Sequence, residues 1–250
     1  METNEYREQR LQSMNALKEM GYDPYGCRYE HDDLVKVRAE FEEGARARVA
    51  GRLLMIRRMG KMNFCTMNDG TGRFQLIFKR DELGETAFAA FKQLNLGDII
   101  GAEGTLFTTQ KGEKSLVVKE WTMLAKALEQ PPEKFHGLAD QEECYRRRYV
   151  DLMTNDESRE RFFMRSRIIM EIRKYLWDKG FVEVETPNQQ DQAGGAAAKP
   201  FFSHFNALDK DCVMRIAPEL YLKRLLVGGM NKVFELGKDF RNEGERKRHV

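Results

Sequence analysis

Five runs of strand-like sequence between residues 45 and 125 limit the folds open to this chain more than any other feature. Glycine-bearing turns separate the runs, for example at residues 68–72 and 111–112. A helical stretch, residues 85–94, lies between the third and the fourth run. This order predicts a five-stranded OB-fold β-barrel, a fold that commonly binds oligonucleotides, although other small barrels share the pattern.

A helical extension, residues 1–44, precedes the strands. Residues 4–20 predict a helix that ends at Gly21, because apolar side chains recur along one side of it. This stripe consists of Leu11, Met14, Leu17 and Met20. It could pack on the next domain or line a basic nucleic-acid arm, and the acidic residues of the helix favour packing.

A proline-rich stretch after the fifth run predicts a domain boundary. We therefore expect the barrel domain at residues 45–130, a linker at 131–154 and a further domain at 155–250. The further domain should open with a helix over about residues 155–179, followed by a short strand that ends at Pro187. The expected buried face of that helix consists of Phe162, Ile169, Ile172 and Leu176.

Composition excludes several classes of protein. The net charge is only +2, and its positive excess lies in residues 146–250, which suits anionic partners. The polar N-terminus is unlike a secretory signal and no apolar run is long enough to span a membrane, so we expect a soluble, cytoplasmic protein. The scattered cysteines contain no C-x-x-C pair, which argues against a zinc site: Cys27, Cys65, Cys144 and Cys212.

A basic segment, RIAPELYLKRLLVGGMNKVFELGKDFRNEGERKRH at residues 215–249, is the strongest candidate for chemistry. It predicts a helix, a glycine turn and a strand that brings Arg241 to a basic loop. Such an arginine suits a polyphosphate ligand, because a guanidinium group binds phosphate oxygens through two parallel hydrogen bonds. Alternatively, Arg241 forms a surface ion pair with Asp239 or Glu243, and the loop is a solvated basic run.

Three segments of the chain resemble the class II lysyl-tRNA synthetases. GFVEVETP resembles motif 1 of that class, with its proline at Pro187, and FELGKDFRNEGERKRH resembles motif 2. RIAPELYLKRLLVGG is closer to the lysine enzymes than to the aspartate or asparagine enzymes. The resemblance covers nearly the whole chain. It implies an α+β protein: a five-stranded OB-fold barrel that binds the anticodon, then the first part of an antiparallel-sheet catalytic domain.

The family's reaction is an ATP-dependent ligation in which lysine and ATP form lysyl-adenylate and the lysyl group then passes to tRNA(Lys). By resemblance, Arg241 is the catalytic arginine and bridges the α-phosphate and the lysine carboxylate. Glu243 contacts the adenine, and Arg248 and His249 lie near the distal phosphates.

The resemblance also assigns residues to lysine and to the anticodon. Glu219 would hold the α-ammonium group of lysine with help from the backbone of Gly195. Its alternative role is that of an acid at a helix N-terminus. On the barrel, Phe64 and Gln75 match residues that stack on and hydrogen-bond to anticodon bases, with Arg57 and Glu113 nearby. Phe64 could instead belong to the core.

The chain departs from the family pattern after the loop of motif 2. The return strand, motif 3, the carboxylates that hold Mg²⁺ and the pocket for the lysine ε-ammonium group have no counterpart in the 250 residues. We therefore expect no metal site in this chain, and no appreciable adenylate formation by the chain alone. In the complete enzyme we expect a homodimer, to which Pro187 of motif 1 contributes. The alternative is a non-catalytic tRNA-binding or regulatory protein derived from a synthetase.

Overall fold

The computed structural model describes residues 2–132, 138 and 140–244. They fall into two compact units, Met1–Asn155 and Asp156–Val250. The finer division into four segments stays a prediction. The first unit contains the following helices and strands: α1 Glu2–Glu19, α2 Leu34–Ala39, β1 Arg46–Met59, β2 Met62–Asn68, β3 Arg73–Lys79, α3 Arg80–Phe91, β4 Ile99–Thr108, β5 Lys114–Ala125, α4 Gln141–Arg146 and α5 Arg148–Thr154.

The five strands form a mixed sheet that closes on itself in the order β1-β2-β3-β5-β4. All neighbouring strands are antiparallel except β3 and β5, which pair in parallel. Strand alternation explains the core, because every second side chain of β3, namely Phe74, Leu76 and Phe78, is buried inside the barrel. The OB-fold barrel predicted from the sequence, with its helix between the third and the fourth strand, is confirmed.

Helix α1 packs on the barrel, as its apolar stripe predicts. Leu17 is fully buried and belongs to the barrel core. Gly21 then ends the helix with φ 87°, a left-handed conformation that glycine adopts without strain. The turn brings the ring of Tyr22 onto that of Trp121, with 4.5 Å between the ring centroids.

A buried ion pair lies at the end of strand β5. Lys126 and Asp98 have fully buried side chains, and Lys126 Nζ lies 2.8 Å from Asp98 Oδ2. Asp98 also accepts hydrogen bonds from the backbone N–H groups of Asn95 and Ala127. Burial lowers the pKa of Lys126, and the attraction of Asp98 opposes that shift. The pair therefore depends on both partners remaining in place.

Apart from helix α6, Asp156–Asp178, the second unit is built from short elements. These elements are β6 Val182–Glu183, β7 Gln189–Gln190, β8 Phe202–Phe205, β9 Lys210–Met214, α7 Glu219–Val227 and β10 Val233–Phe234. Strands β6 and β10 pair in parallel, and the order of the three-stranded sheet is β7-β9-β8. A short 3-10 helix, Asn206–Leu208, joins β8 to β9.

Helix α6 lies where the sequence predicts it, but the prediction of its buried face is wrong. Phe162 and Ile172 are exposed, while Ile169 and Leu176 are half-buried. The physical reason is the small size of the elements beside it: β6 and β10 contribute only two residues each. Such a narrow sheet cannot cover the apolar stripe of a helix of 23 residues.

The prediction of a strand that reaches Arg241 is also wrong, because β10 ends at Phe234. The backbone beyond it bonds to other segments instead of continuing a ladder. Phe240 N donates to Arg215 O at 2.9 Å, and Asn242 N donates to Lys199 O at 2.7 Å. Residues 235–244 therefore follow an irregular path that is fixed by separate hydrogen bonds.

Candidate functional site

Three of the four predicted anticodon residues lie on one outer face of the barrel, across β1, β2 and β3, while the fourth, Glu113, is exposed in the turn before β5. In the strand register, Arg57 pairs with Phe64 and Thr66 pairs with Gln75. Arg57 is exposed, and Phe64 and Gln75 are half-buried. We name this surface, formed by Arg57, Phe64 and Gln75, the outer face.

Phe64 lies outside the barrel core, contrary to its alternative role. Its chain neighbours Asn63 and Cys65 are buried, because alternate side chains of β2 point inward. Burial raises the pKa of the Cys65 thiol to about 12, so this thiol stays protonated at neutral pH. Of Asn63, Phe64 and Cys65, it is therefore Phe64 whose half-buried side chain a ligand can contact.

A chain of hydrogen bonds orients Gln75. Its Nε2 donates to Ser115 Oγ at 2.9 Å, and that hydroxyl donates to the carbonyl oxygen of Glu113 at 3.1 Å. The amide of Gln75 is thereby held in one plane beside β5, and Glu113 is linked to the same face through its backbone. An aromatic ring beside an oriented amide is the combination that reads a splayed base.

In the second unit, the structure brings together two of the three residues predicted to bind lysine, Gly195 and Glu219. Gly195 has φ 85°, and a side chain there would place its Cβ 3.0 Å from Glu219 Cβ. Glycine thus permits a close approach to the first residue of α7 that no larger residue allows. The Glu219 carboxylate is about half-exposed and accepts a hydrogen bond from Lys223 Nζ at 2.5 Å.

Arg241 and Glu243 are exposed. The backbone on both sides of Arg241 is fixed by the bonds of Phe240 and Asn242 described above. Within the part of the chain that the structure describes, no hydrogen bond or ion pair joins the Arg241 side chain to Asp239, Glu243 or Glu219. The predicted residues Arg248 and His249 lie outside the described residues.

Arg215 is a residue that the sequence analysis missed. Its side chain is 2% exposed and donates to Lys238 O through Nε and to Thr186 Oγ1 through Nη1. It also forms an ion pair with Glu235, which accepts a further hydrogen bond from Thr186. A side chain at Gly237 would collide with Arg215 Nη2. The only signal in the sequence that could have identified Arg215 is its position as a single arginine directly after apolar strand residues.

The Arg215 network joins the segment after β6 to the segment after β10. Burial tends to raise the pKa of Glu235, but the hydrogen bonds from Thr186 and Arg215 outweigh it and lower the pKa. The carboxylate is therefore ionised at neutral pH. Pro187, which follows Thr186, is exposed and its carbonyl oxygen accepts a hydrogen bond from Gln190.

A metal ion would need a cluster of side chains that can act as its ligands. Among the described residues, no group of three or more histidine, cysteine, aspartate or glutamate side chains is arranged to hold a metal ion. The family resemblance assigns Mg²⁺ to carboxylates that have no counterpart in this chain, and the described residues offer no other group of that kind. In the same part of the chain, no helix is long and apolar enough to cross a membrane.

Comparison with known proteins decides the family. Residues 47–124 match the model of the OB-fold nucleic acid binding domain, and residues 140–250 match that of the class II tRNA synthetases (D, K and N). The lysine–tRNA ligases of Syntrophomonas wolfei and Nitrosomonas europaea are each 49% identical, over 98% and 96% of this chain. The chain belongs to the class II lysyl-tRNA synthetase family.

The lysyl-tRNA synthetase of Idiomarina loihiensis is 50% identical over 100% of this chain. The chain spans about half the length of the curated relatives that it matches, between 50% and 52% for these three. The family is one of ATP-using ligases, and the two matched domains correspond to the barrel and to the second unit together with the end of the first.

Proposed function

We propose that this chain forms the tRNA-binding barrel and the first part of the catalytic domain of a lysine–tRNA ligase. The observation that carries the proposal is the outer face, where Arg57 pairs with Phe64 and the oriented amide of Gln75 lies on the next strand, diagonal to Phe64. The partners are tRNA(Lys), L-lysine and ATP. Homodimer formation, a requirement for Mg²⁺ and a cytoplasmic location belong to the same proposal and rest on the family alone.

On the barrel, Phe64 stacks on an anticodon base and Gln75 hydrogen-bonds to its edge. Arg57 supplies positive charge beside the ring, where a phosphate of the same loop passes. Glu113 limits which base fits, because its backbone is tied to the Gln75 network. Stacking on an aromatic ring contributes about 1–3 kcal/mol per base, so a single ring can carry much of the affinity.

In the second unit, Glu219 and Gly195 hold the α-ammonium group of lysine, and Arg241 holds its carboxylate against the α-phosphate of ATP. The carboxylate oxygen attacks phosphorus, the bond to the β-phosphate bridge breaks, and pyrophosphate leaves. No proton transfer is needed, so the protein contributes position and charge. Glu243 contacts adenine, and Arg248 and His249 bind the distal phosphates. In the second step, the ribose hydroxyl oxygen of tRNA attacks the lysyl carbonyl carbon, the bond from that carbon to the phosphate oxygen breaks, and AMP leaves as its phosphate takes up the hydroxyl proton.

The anticodon role is tested by binding an anticodon stem-loop of tRNA(Lys) to the purified chain at fixed salt. Phe64→Ala should weaken binding about ten-fold or more, given the energy of one stacked base. Gln75→Ala should lose discrimination at one base. Phe202→Ala is the matched control, because this exposed phenylalanine lies outside the barrel. Equal binding by wild type and a folded Phe64→Ala variant would place the contact surface elsewhere.

The catalytic role is tested by lysine-dependent pyrophosphate exchange. The 250-residue chain should show no appreciable exchange, because its described residues offer no metal-binding cluster. In the full-length protein, Arg241→Ala should abolish exchange and leave tRNA binding nearly intact. Arg161→Ala, on the exposed surface of α6, is the control and should exchange normally. Robust exchange by the chain, or by full-length Arg241→Ala, would contradict these assignments.

A non-catalytic tRNA-binding protein is the second candidate function. The closed barrel favours it, since that unit carries its binding face without help from the second unit. One measurement on the full-length protein distinguishes the ligase from the non-catalytic binding protein. A full-length protein that binds tRNA but shows no lysine-dependent exchange would be the binding protein.

A further inference from the structure

A second phenylalanine on the barrel is not explained by the residues assigned above. Phe107 on β4 is 39% exposed, whereas its neighbour Leu106 is buried in the core. Strand alternation therefore points the Phe107 ring outward. An aromatic ring held on the outside of a nucleic-acid-binding barrel is a candidate contact for a base.

The strand register places Phe107 in the same cross-strand row as Gln75. Phe107 pairs with Ser115 of β5, and Ser115 pairs with Gln75 of β3. Ser115 is also the acceptor for the Gln75 amide. Phe107 thus continues the outer face past β5, and the oriented amide lies between the two aromatic rings.

The spacing of the strands separates the two rings. Neighbouring strands lie about 4.8 Å apart, so the path from Phe107 through β5 and β3 to Phe64 spans about 14 Å. The other path around the closed barrel is no shorter, because β4 and β2 pair with opposite halves of β1. One base cannot stack on both Phe64 and Phe107 across that distance. The two rings must therefore serve different nucleotides of one strand.

The charges around Phe107 suit a phosphate. Lys79 Nζ lies 5.6 Å from the centroid of the ring, a loose cation–π contact at the end of a flexible side chain. Two acids lie on this side. Glu43 accepts hydrogen bonds from the backbone and hydroxyl of Thr108. Glu82, which also attracts Lys79, forms an ion pair with Lys119. Lys79 can therefore leave the ring for a phosphate and free the aromatic face for a base.

We propose that Phe107 is a second base-stacking platform, which holds a single-stranded nucleotide other than the one read by Phe64 and Gln75, while Lys79 meets the phosphate. This inference rests on the proposed anticodon-binding function. The occupant is single-stranded RNA of the anticodon loop. Because one stacking ring lies on each side of Gln75, the path of the RNA strand is fixed. A single base then reaches the side-chain amide of Gln75.

The test uses the 250-residue chain and a set of anticodon stem-loops, each lacking the base of one loop nucleotide. Phe107→Leu should weaken binding of the intact stem-loop about five-fold or more, because it keeps an apolar side chain but removes the ring. Phe107→Tyr should restore binding. Removal of one particular base should weaken binding of the stem-loop to wild type but should not weaken its binding to Phe107→Leu any further. A different base should show this behaviour with Phe64→Ala.

Lys79→Met gives an independent readout. Loss of one phosphate contact should lower the slope of log affinity against log salt by about 0.7, the value for one contact to a single strand. Lys210→Met, which removes a lysine of the second unit that is paired with Asp191, should leave the slope unchanged.

Three outcomes would overturn the inference. If folded Phe107→Leu binds every stem-loop as wild type does, while Phe64→Ala is weakened, the second platform fails and the anticodon function stands. If removal of the same base has no further effect on the binding of Phe107→Leu and of Phe64→Ala, the two rings serve one nucleotide and there is one platform, not two. If the chain binds no stem-loop, the anticodon function and this inference fail together.

Discussion

The two units of the chain differ in how much apolar surface they bury. In the first unit, a continuous core runs through all five strands and includes Leu17 of α1. In the second, the buried apolar side chains that the structure describes are Cys212, Val213 and Ile216. Large side chains such as Trp177, which is 66% exposed, lie on the surface of α6.

The difference shows that secondary structure and stability are separate properties. The barrel has no unpaired sheet edge and a full core, so it meets the requirements of an independent domain. The second unit is held by short sheets and by the polar Arg215 network, and burial of apolar surface contributes little to it. We therefore expect the barrel to resist unfolding and proteolysis while the second unit opens first.

The buried pair of the barrel gives the largest expected effect on stability. Lys126→Met leaves Asp98 buried without its partner, which typically costs about 3–5 kcal/mol. Lys119→Met removes a half-exposed pair and should cost about 1 kcal/mol or less. Urea unfolding followed by the fluorescence of the buried Trp121, in a Trp177→Phe background, measures both. Equal costs for the two variants would contradict the structural role of the buried pair.

A smaller effect is expected at the Arg215 network. Thr186→Val removes a hydroxyl that accepts from Arg215 and donates to Glu235, and unsatisfied buried groups cost about 1–3 kcal/mol. Amide exchange of residues 235–240 should therefore accelerate, while exchange in the barrel stays unchanged. Ser166→Ala, a hydroxyl on the exposed α6, is the control. Faster exchange in both units would show that the units do not open independently.

The pH dependence of the second unit should be the smallest effect. The pKa of Glu235 is lowered from its ordinary value of 4.5 in the folded chain. Its contribution to stability is therefore complete above about pH 4.5 and is lost as the pH falls through the folded pKa. Amide exchange of residues 235–240 should accelerate in that acidic range. Glu235→Gln should flatten this dependence, and an unchanged acid response in that variant would assign it to another group.

Much of the barrel was predictable because its signals are local. Alternation of apolar residues and the glycine turns specify strands, and the pairing of Arg57 with Phe64 follows once the strands are in register. The exposure of Phe162 was not predictable, since periodicity gives the apolar face of a helix but not what covers it. Arg215 was missed for a similar reason: its partners lie 20 or more residues away in sequence.

The second unit also shows where family resemblance adds to periodicity. The proximity of Gly195 and Glu219 was expected only from the resemblance, because a glycine in a loop carries no sign of its neighbour. The prediction of a strand up to Arg241 failed because β10 is confined to Val233 and Phe234, and the glutamate, glycine, lysine and aspartate of FELGKDF are residues that strands disfavour. The backbone bonds of residues 235–244 to distant segments decide the path to Arg241.

We expect the barrel unit to fold and to recognise RNA without the second unit. The most direct test compares a fragment of residues 1–155, the whole first unit, with the 250-residue chain, in binding to the same anticodon stem-loop at the same salt. We predict equal affinities within about two-fold, and the same loss in both when Phe64 is replaced by alanine, because the contacts of one stacked base lie within the fragment. A folded fragment that binds ten-fold more weakly than the chain, or not at all, would contradict the account.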